Sequence, residues 1–415
     1  MARAVMLPGL DREQCAKAAD GLAVLLAVSL PWSTTATGIF AALYLIAVVP
    51  TLDAERLAAV KASPAAWLPF ALAVFGLVGV LWADVPLAER MDGLKSFAKL
   101  AFIPLLFMHF STARRPHWVL TGFFVSCTVL LAASLLPTVV PWLRWMWPTY
   151  YGIPVKNHIS QGIAFLVCLF VALHLGLLAA RAGEWLKACA LAALAALFAI
   201  DIVYVIVSRT AIAVMPVMVI AFALFHFRWK GIVAVALLGV VAGAAVWTSS
   251  PLLRARVGAV VTNAQQYQPS ADSTSAGERL EFWRKSLTMI ADAPLLGHGT
   301  GSIKGQFRVA AGPSGLSSLV AANPHNQTLA VGIQLGLVGI AVLWAMWIAH
   351  LPLFWTNGTI AWFGLVVVVE TIVGSLFNSM LFDFTEGWIY VVLVGVAAGA
   401  VARDAQAEPA REAPS

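Results

Sequence analysis

Apolar runs long enough, or nearly long enough, to cross a bilayer recur along the whole chain, and the polar positions between them are few and bunched. The pattern predicts spans near residues 18–32, 36–50, 64–82, 95–111, 117–138, 158–180, 185–207, 210–226, 231–248, 326–350, 358–378 and 386–402. The first two are short and separated only by Pro31-Trp32-Ser33, so one broken hairpin is the alternative there. The expected architecture is an all-α polytopic membrane protein of about twelve transmembrane helices.

One connection breaks the rhythm. From Thr248 to Pro324 about 76 residues pass without a spanning run. Residues 262–277 are polar and flexible in composition. They lead into 278–290, where Leu280, Phe282, Trp283, Leu287 and Ile290 form an apolar face and Arg279, Arg284 and Lys285 point elsewhere. That spacing predicts an amphipathic helix lying on the membrane or capping a cavity. Pro294 and the Gly-rich run 297–302 follow as a tight turn whose backbone N–H groups are placed to meet an anion. The expected organisation is therefore helices over 1–247, a large loop with amphipathic helices over 248–324, helices again over 325–403, and a tail over 404–415.

Composition agrees with lipid as the solvent: 61% of the residues are apolar and 11% charged, against roughly 25% charged in soluble domains. The net charge of +6 lies in short clusters between apolar runs, which builds no groove for a nucleic acid. Those clusters set orientation. With the N-terminus inside, thirteen Lys/Arg from Arg3 to Arg411 fall in cytoplasmic segments and five in the short segments opposite. The long loop then faces outward, where the positive-inside rule does not constrain it. Cys15, Cys127, Cys168 and Cys189 have no metal-ligand spacing and none lies in the loop, so no disulfide staple is expected. A cleaved signal peptide is disfavoured because Arg3, Arg12 and Lys17 are mixed with acidic residues and the apolar stretch continues to Val49.

Candidate chemistry gathers at the outward ends. His325 opens a span in Asn-Pro-His-Asn-Gln-Thr, at the positive end of a helix dipole that favours the neutral imidazole a general base needs. Arg209 sits between two apolar runs with almost no loop, a costly place for a cation unless it is paired or faces a wet cavity; snorkelling to headgroups is the plain alternative. Arg279, Arg284 and Lys285 suit a phosphate, although a helix face contacting lipid phosphate needs nothing more. Asp201 and Glu370 lie inside apolar runs and suit proton coupling or helix packing equally. His158, Asp383 and Glu386 are further outer-face candidates. No Asp-x-Asp and no cluster at metal-ligand spacing occurs, so a pyrophosphate would have to be held by Arg and Lys.

Taken in order, several of these residues resemble a known family. His325-Asn326, nine residues, then Gly336-x-x-Gly339 resembles the His-(Asn/Ser/Gln)-x9-Gly-x-x-Gly pattern of the lipopolysaccharide O-antigen ligases. Ser208-Arg209-Thr210 resembles an element of the wider ligase and polymerase superfamily. Gly277-Glu278-Arg279 with Trp283, then Pro294 to Gly299, resembles the start of its large periplasmic loop. The resemblance covers nearly the whole chain. It implies a GT-C-type, metal-independent, inverting glycosyltransferase of the bacterial inner membrane, with a periplasmic active site and no cofactor. Its donor would be O-antigen on undecaprenyl pyrophosphate and its acceptor the lipid A-core oligosaccharide. His325 would be the base, Arg209 and Arg279 the pyrophosphate clamp, and Asn326, Arg284 and Lys285 substrate contacts. Arg254, Arg256, Lys304 and Arg308 would add positive field.

Two alternatives stay within that superfamily, an O-antigen polymerase and a protein O-oligosaccharyltransferase. The His-Asn pattern favours the ligase. An alternative of another class is a twelve-span transporter or lipid flippase using Asp201 and Glu370 as coupling groups. The expected partners are the two lipid-linked substrates and membrane lipids, with no nucleic acid and a monomeric chain.

Overall fold

A computed structural model of the chain describes residues 11–113, 115–147, 150–251, 254–255, 258, 275–311 and 323–412. Arg256 and most of the polar stretch 262–277 lie outside the described residues. Among those described the fold is all-helical, apart from an isolated bridge between Tyr150 and Ile153.

The helices start where capping chemistry allows. The first, α1 (Arg12–Ser29), is opened by Asp11 and α2 (Thr34–Val48) by Ser33, each side chain accepting from a first-turn N–H. Pro50 follows α2, then α3 (Ala54–Ala62) and α4 (Pro64–Gly79), which meet at a bend of 92°. Next come α5 (Leu87–Ala98) and α6 (Phe102–Phe110), joined through a short 3-10 turn at buried Lys99, and α7 (Pro116–Val139). Asn157 caps α8 (His158–Arg181), and α9 (Trp185–Ile200) ends in a π-helical turn from Asp201 to Val205. After α10 (Arg209–Ser249) the loop contributes α11 (Ser275–Asp292) and α12 (Ile303–Ala311). The chain closes with α13 (Gln327–Phe354), α14 (Thr359–Gly374) and α15 (Phe384–Glu412).

Eight of these helices, or nine if the bent α3–α4 pair is one span, are long and apolar enough to cross a membrane. The protein is a polytopic helical membrane protein. Its most deeply buried span is α15, which packs closely on α6: Gly395 and Gly399, four apart, let the two backbones approach, so that a Cβ at Gly399 would lie 2.6 Å from the Phe107 carbonyl oxygen.

The expected spans 210–226 and 231–248 are continuous in α10, yet its ends come back together. A straight helix of 41 residues would be about 60 Å long. The Tyr204 hydroxyl, five residues before it, is 2.7 Å from Oγ of Ser249 at its far end. The chain therefore doubles back, and the bend is at Phe227–Gly231, where a Cβ on Gly231 would lie 2.1 Å from that of Phe227.

The large loop is fastened to the membrane helices by its Gly-rich run. Gly336 interrupts α13 with φ 61° and ψ −160°, a conformation open to glycine. The interruption frees the N–H groups of Leu337 and Val338 and the carbonyls of Ile333 and Gln334. The loop takes up all four: Leu337 and Val338 donate to the Pro294 and Leu295 carbonyls, while His298 and Gly299 donate to those of Ile333 and Gln334. No backbone group is stranded at depth. Thr300 then caps α4 through the Gly76 and Gly79 carbonyls, and Gly301 N–H donates to Oε1 of Gln334. These bonds correct the expected anion-binding turn: every N–H from Gly297 to Ser302 is already spent inside the protein.

The face of α11 also differs from the expectation. Phe282, Ser286, Met289 and Ile290 are buried, against Phe307 of α12 and Ala330 and Ile333 of α13. Leu280 and Leu287 lie on the opposite side of the helix and are 60% exposed. Spacings of four and three residues define the buried stripe, and at 100° per residue Arg279 falls beside it while Arg284 falls opposite.

Candidate functional site

His325 does not open the helix; it precedes it. Asn326 is the N-cap of α13, its Oδ1 accepting from Leu329 N–H, and His325 stands one residue earlier with φ 53°. That strained backbone is held from two sides. Asn323 Oδ1 accepts from the His325 N–H at 2.8 Å and from the Ser379 hydroxyl at 2.6 Å. On the ring, Nδ1 of His325 is 3.1 Å from Oδ1 of Asn378. An amide oxygen only accepts, so Nδ1 carries the proton and Nε2 is the basic nitrogen. The orientation of Asn378 is itself fixed, because its Nδ2 donates to the Thr210 hydroxyl at 3.4 Å.

That last bond brings in Arg209. Buried Ser208 and Thr210 flank it, so the Ser-Arg-Thr element is anchored on both sides of the arginine. Arg279 lies half-buried at the start of α11; its burial, and then the charge of Arg209, push its pKa down. The two guanidiniums thus feel one another, on the same side of the bundle as His325.

The other sequence candidates sort differently. Arg284 is 77% exposed and pairs with Glu281 on its own helix at 3.2 Å; Lys285 reaches the same carboxylate at 3.6 Å. Asn326 is occupied as a cap, with Nδ2 donating to the Leu376 carbonyl. Arg254 donates to the Trp247 and Thr248 carbonyls, and Arg308 ties α12 to Glu89 of α5 at 2.9 Å. Lys304 is exposed.

A cavity of about 440 Å³ opens beside His325. Its walls come from four distant parts of the chain and include Lys156, Ser160, Asn378, Asp383 and Glu386. Lys156 donates to the Leu30 carbonyl and to the Thr385 hydroxyl, and Ser160 donates to Glu386 at 2.8 Å. Burial lowers the Lys156 pKa to about 8, against the opposing pull of Glu386. Burial and the neighbouring Glu386 raise Asp383 to about 7, with Lys99 opposing.

Of the two carboxylates inside apolar runs, Asp201 is a brace. It is fully buried and joins α7 and α8 by accepting from Ser134 at 2.5 Å and Gln161 at 3.4 Å. Glu370 is buried in α14 and accepts from its neighbour Thr371 at 3.4 Å. Among the described residues no three His, Cys, Asp or Glu cluster as a metal site requires.

Residues 193–344 match the family model described as O-antigen ligase (Wzy_C). The chain carries an O-antigen ligase family domain. That family comprises glycosyltransferase-like ligases and polymerases, so a transferase role follows. The matched O-antigen ligase segment contains Arg209, Arg279, His325 and both glycines of the break in α13. No curated protein matches the chain.

The network also contains residues that sequence reasoning passed over. Asn378 and Lys156 lie in short polar connections between spans. The sequence signal for Asn378 is an amide in an otherwise apolar turn between two long apolar runs.

Proposed function

We propose that the chain is an O-antigen ligase: a twelve-span, GT-C-type glycosyltransferase of the bacterial inner membrane that moves O-antigen from undecaprenyl pyrophosphate onto lipid A-core at its periplasmic face. The observation carrying this reading is the hydrogen-bonded line from His325 through Asn378 to Thr210, which joins a basic Nε2 to the arginine-bearing Ser-Arg-Thr element. The span count follows from the twelve apolar runs, two of which form the doubled-back α10. The orientation follows from the basic clusters, since Arg12, Arg56, Arg181 and Arg403 all lie at or near helix ends away from His325.

In this reading the acceptor hydroxyl attacks the anomeric carbon of the donor sugar, on the face opposite the pyrophosphate. The new carbon–oxygen bond forms as the bond to the leaving phosphate oxygen breaks, and the configuration inverts. His325 Nε2 takes the hydroxyl proton, and the bonding pair leaves with undecaprenyl pyrophosphate. Arg209 and Arg279 meet the charge that develops there; placed donors of this kind are worth about 10²–10³ in rate. Two lipid-tethered substrates held in one orientation supply the rest through proximity.

The test is transfer from undecaprenyl-pyrophosphate-linked O-antigen to lipid A-core by the purified full chain, with and without His325→Ala. The expected result is transfer by the native protein, unchanged by a chelator, and loss of it in the variant with membrane insertion intact. Native activity that disappears in EDTA overturns the metal-independent mechanism. Transfer to a second donor molecule in place of lipid A-core identifies a polymerase.

A further inference from the structure

The surroundings of His325 are electrically two-sided. Toward Thr210 lie the two arginines, close enough for the charge of Arg209 to lower the pKa of Arg279. Toward the cavity lie Asp383 and Glu386 on the first residues around α15, with Ser160 and Asn157 on the cap of α8. One cation, Lys156, faces them there, and it is already bonded to the Leu30 carbonyl and the Thr385 hydroxyl.

A wall of two carboxylates, amides and hydroxyls suits a ligand rich in hydroxyl groups and repels an anion. Carboxylate oxygens accept from paired sugar hydroxyls, and the amides of Asn157, Asn323 and Asn378 offer donors as well as acceptors. Phe384, 40% exposed at the rim, offers an apolar face to the ring carbons of a sugar. The cavity volume, about 440 Å³, is in the range of small-molecule sites. The floor is rigid: Gln327 Oε1 accepts from the N–H groups of Leu381 and Phe382, and Lys99 donates to the Phe382 and Asp383 carbonyls.

We propose that this cavity is the subsite for the terminal sugar of the acceptor, and that it selects an uncharged sugar over a phosphorylated or uronic one. Asp383 and Glu386 hold that sugar by its hydroxyls beside His325, while the pyrophosphate of the donor is confined to the arginine flank. Substrate order and fidelity then have one electrostatic origin, because each lipid-linked molecule is repelled from the other's place. The proposal rests on the ligase reading for the words acceptor and donor, and on the cavity alone for the preference for a neutral sugar.

Two measurements on the purified full chain separate these layers. The first is direct binding of free probes by saturation-transfer NMR, using a neutral glucose trisaccharide and the same trisaccharide ending in glucuronic acid. Native protein should bind the neutral probe at least tenfold more tightly. The double variant Asp383→Asn, Glu386→Gln, whose amides still accept from Ser160 and neighbouring groups, should lose roughly tenfold for the neutral probe. It should gain affinity for the uronic probe, which mere structural loosening would not produce. The second is steady-state transfer at varied substrate. The double variant should raise the acceptor KM roughly tenfold and leave the donor KM unchanged. Equal binding of both probes by native protein, or a raised donor KM with an unchanged acceptor KM, overturns the subsite. Neutral-probe preference that is lost in the double variant, in a protein without transferase activity, supports the subsite and overturns the ligase reading.

Discussion

Asn378 decides which nitrogen of His325 is basic, and removing it should cost rate without costing the fold. Its side chain is 2% exposed, and its Oδ1 accepts the Nδ1 proton at 3.1 Å. In Asn378→Ala the ring loses that partner, and the tautomer carrying its proton on Nε2 becomes populated, which is useless as a base. A neutral hydrogen bond contributes about 1 kcal/mol net, and a donor left unpaired in a partly buried place costs about 1–3 kcal/mol. The expected loss in kcat is therefore roughly 10- to 100-fold. Asn378→Asp tests the cause. A carboxylate against Nδ1 favours the imidazolium, so the acid limb of the pH–rate profile should move upward. Activity should fall at neutral pH and recover under alkaline conditions. The assay is transfer from a lipid-linked donor across a pH series, with thermal stability of the purified variants as a folding control. Native kcat in Asn378→Ala, together with an unmoved acid limb in Asn378→Asp, would refute the orienting role.

Three other outcomes follow from the geometry. Gly336→Ala should lower transfer at least tenfold and loosen the loop to limited proteolysis, because its Cβ would lie 2.3 Å from the Leu295 carbonyl oxygen in a backbone conformation costing about 1–3 kcal/mol for other residues. Arg279→Ala should reduce kcat/KM about 10²–10³-fold, whereas exposed Arg284→Ala, whose partner is a surface carboxylate, should change it by no more than about threefold; similar losses in both would contradict the two-sided reading of α11. Asp383 is raised in the folded state to about 7 from 3.8, so the native protein binds more protons than the unfolded chain between those values. Stability from this group should thus fall as pH rises from 4 to 7, and Asp383→Asn should flatten that slope in a thermal-unfolding series.

The spans were legible because lipid leaves little choice of residue: runs such as 158–180 and 326–350 reappear as α8 and α13 within a few residues. The helix near 278–290 was legible from its period, but its buried face was not. Five apolar residues supplied two competing stripes, and the small Ser286 marks the stripe that packs. The Gly-rich run was misread for a similar reason. Its glycines do signal close backbone approach, but the partner is the broken helix at Gly336, and nothing local says which acceptors a distant backbone will provide. His325 and Arg209 stood out as polar groups at the ends of apolar runs. Asn378 could not, since its meaning comes from contacts with residues 53 and 168 positions away.

The break in α13 bears on how the chain is made. Residues 294–299, which complete its missing hydrogen bonds, are synthesised before residues 333–338, which need them. The patch therefore exists before the tear. When α13 enters the bilayer its loop is already across, and the helix is finished by a strand arriving from the water side. An insertion intermediate with four bare backbone groups in hydrocarbon never has to persist, and the protein can keep a discontinuous helix next to its chemistry without a stage at which that helix stands alone.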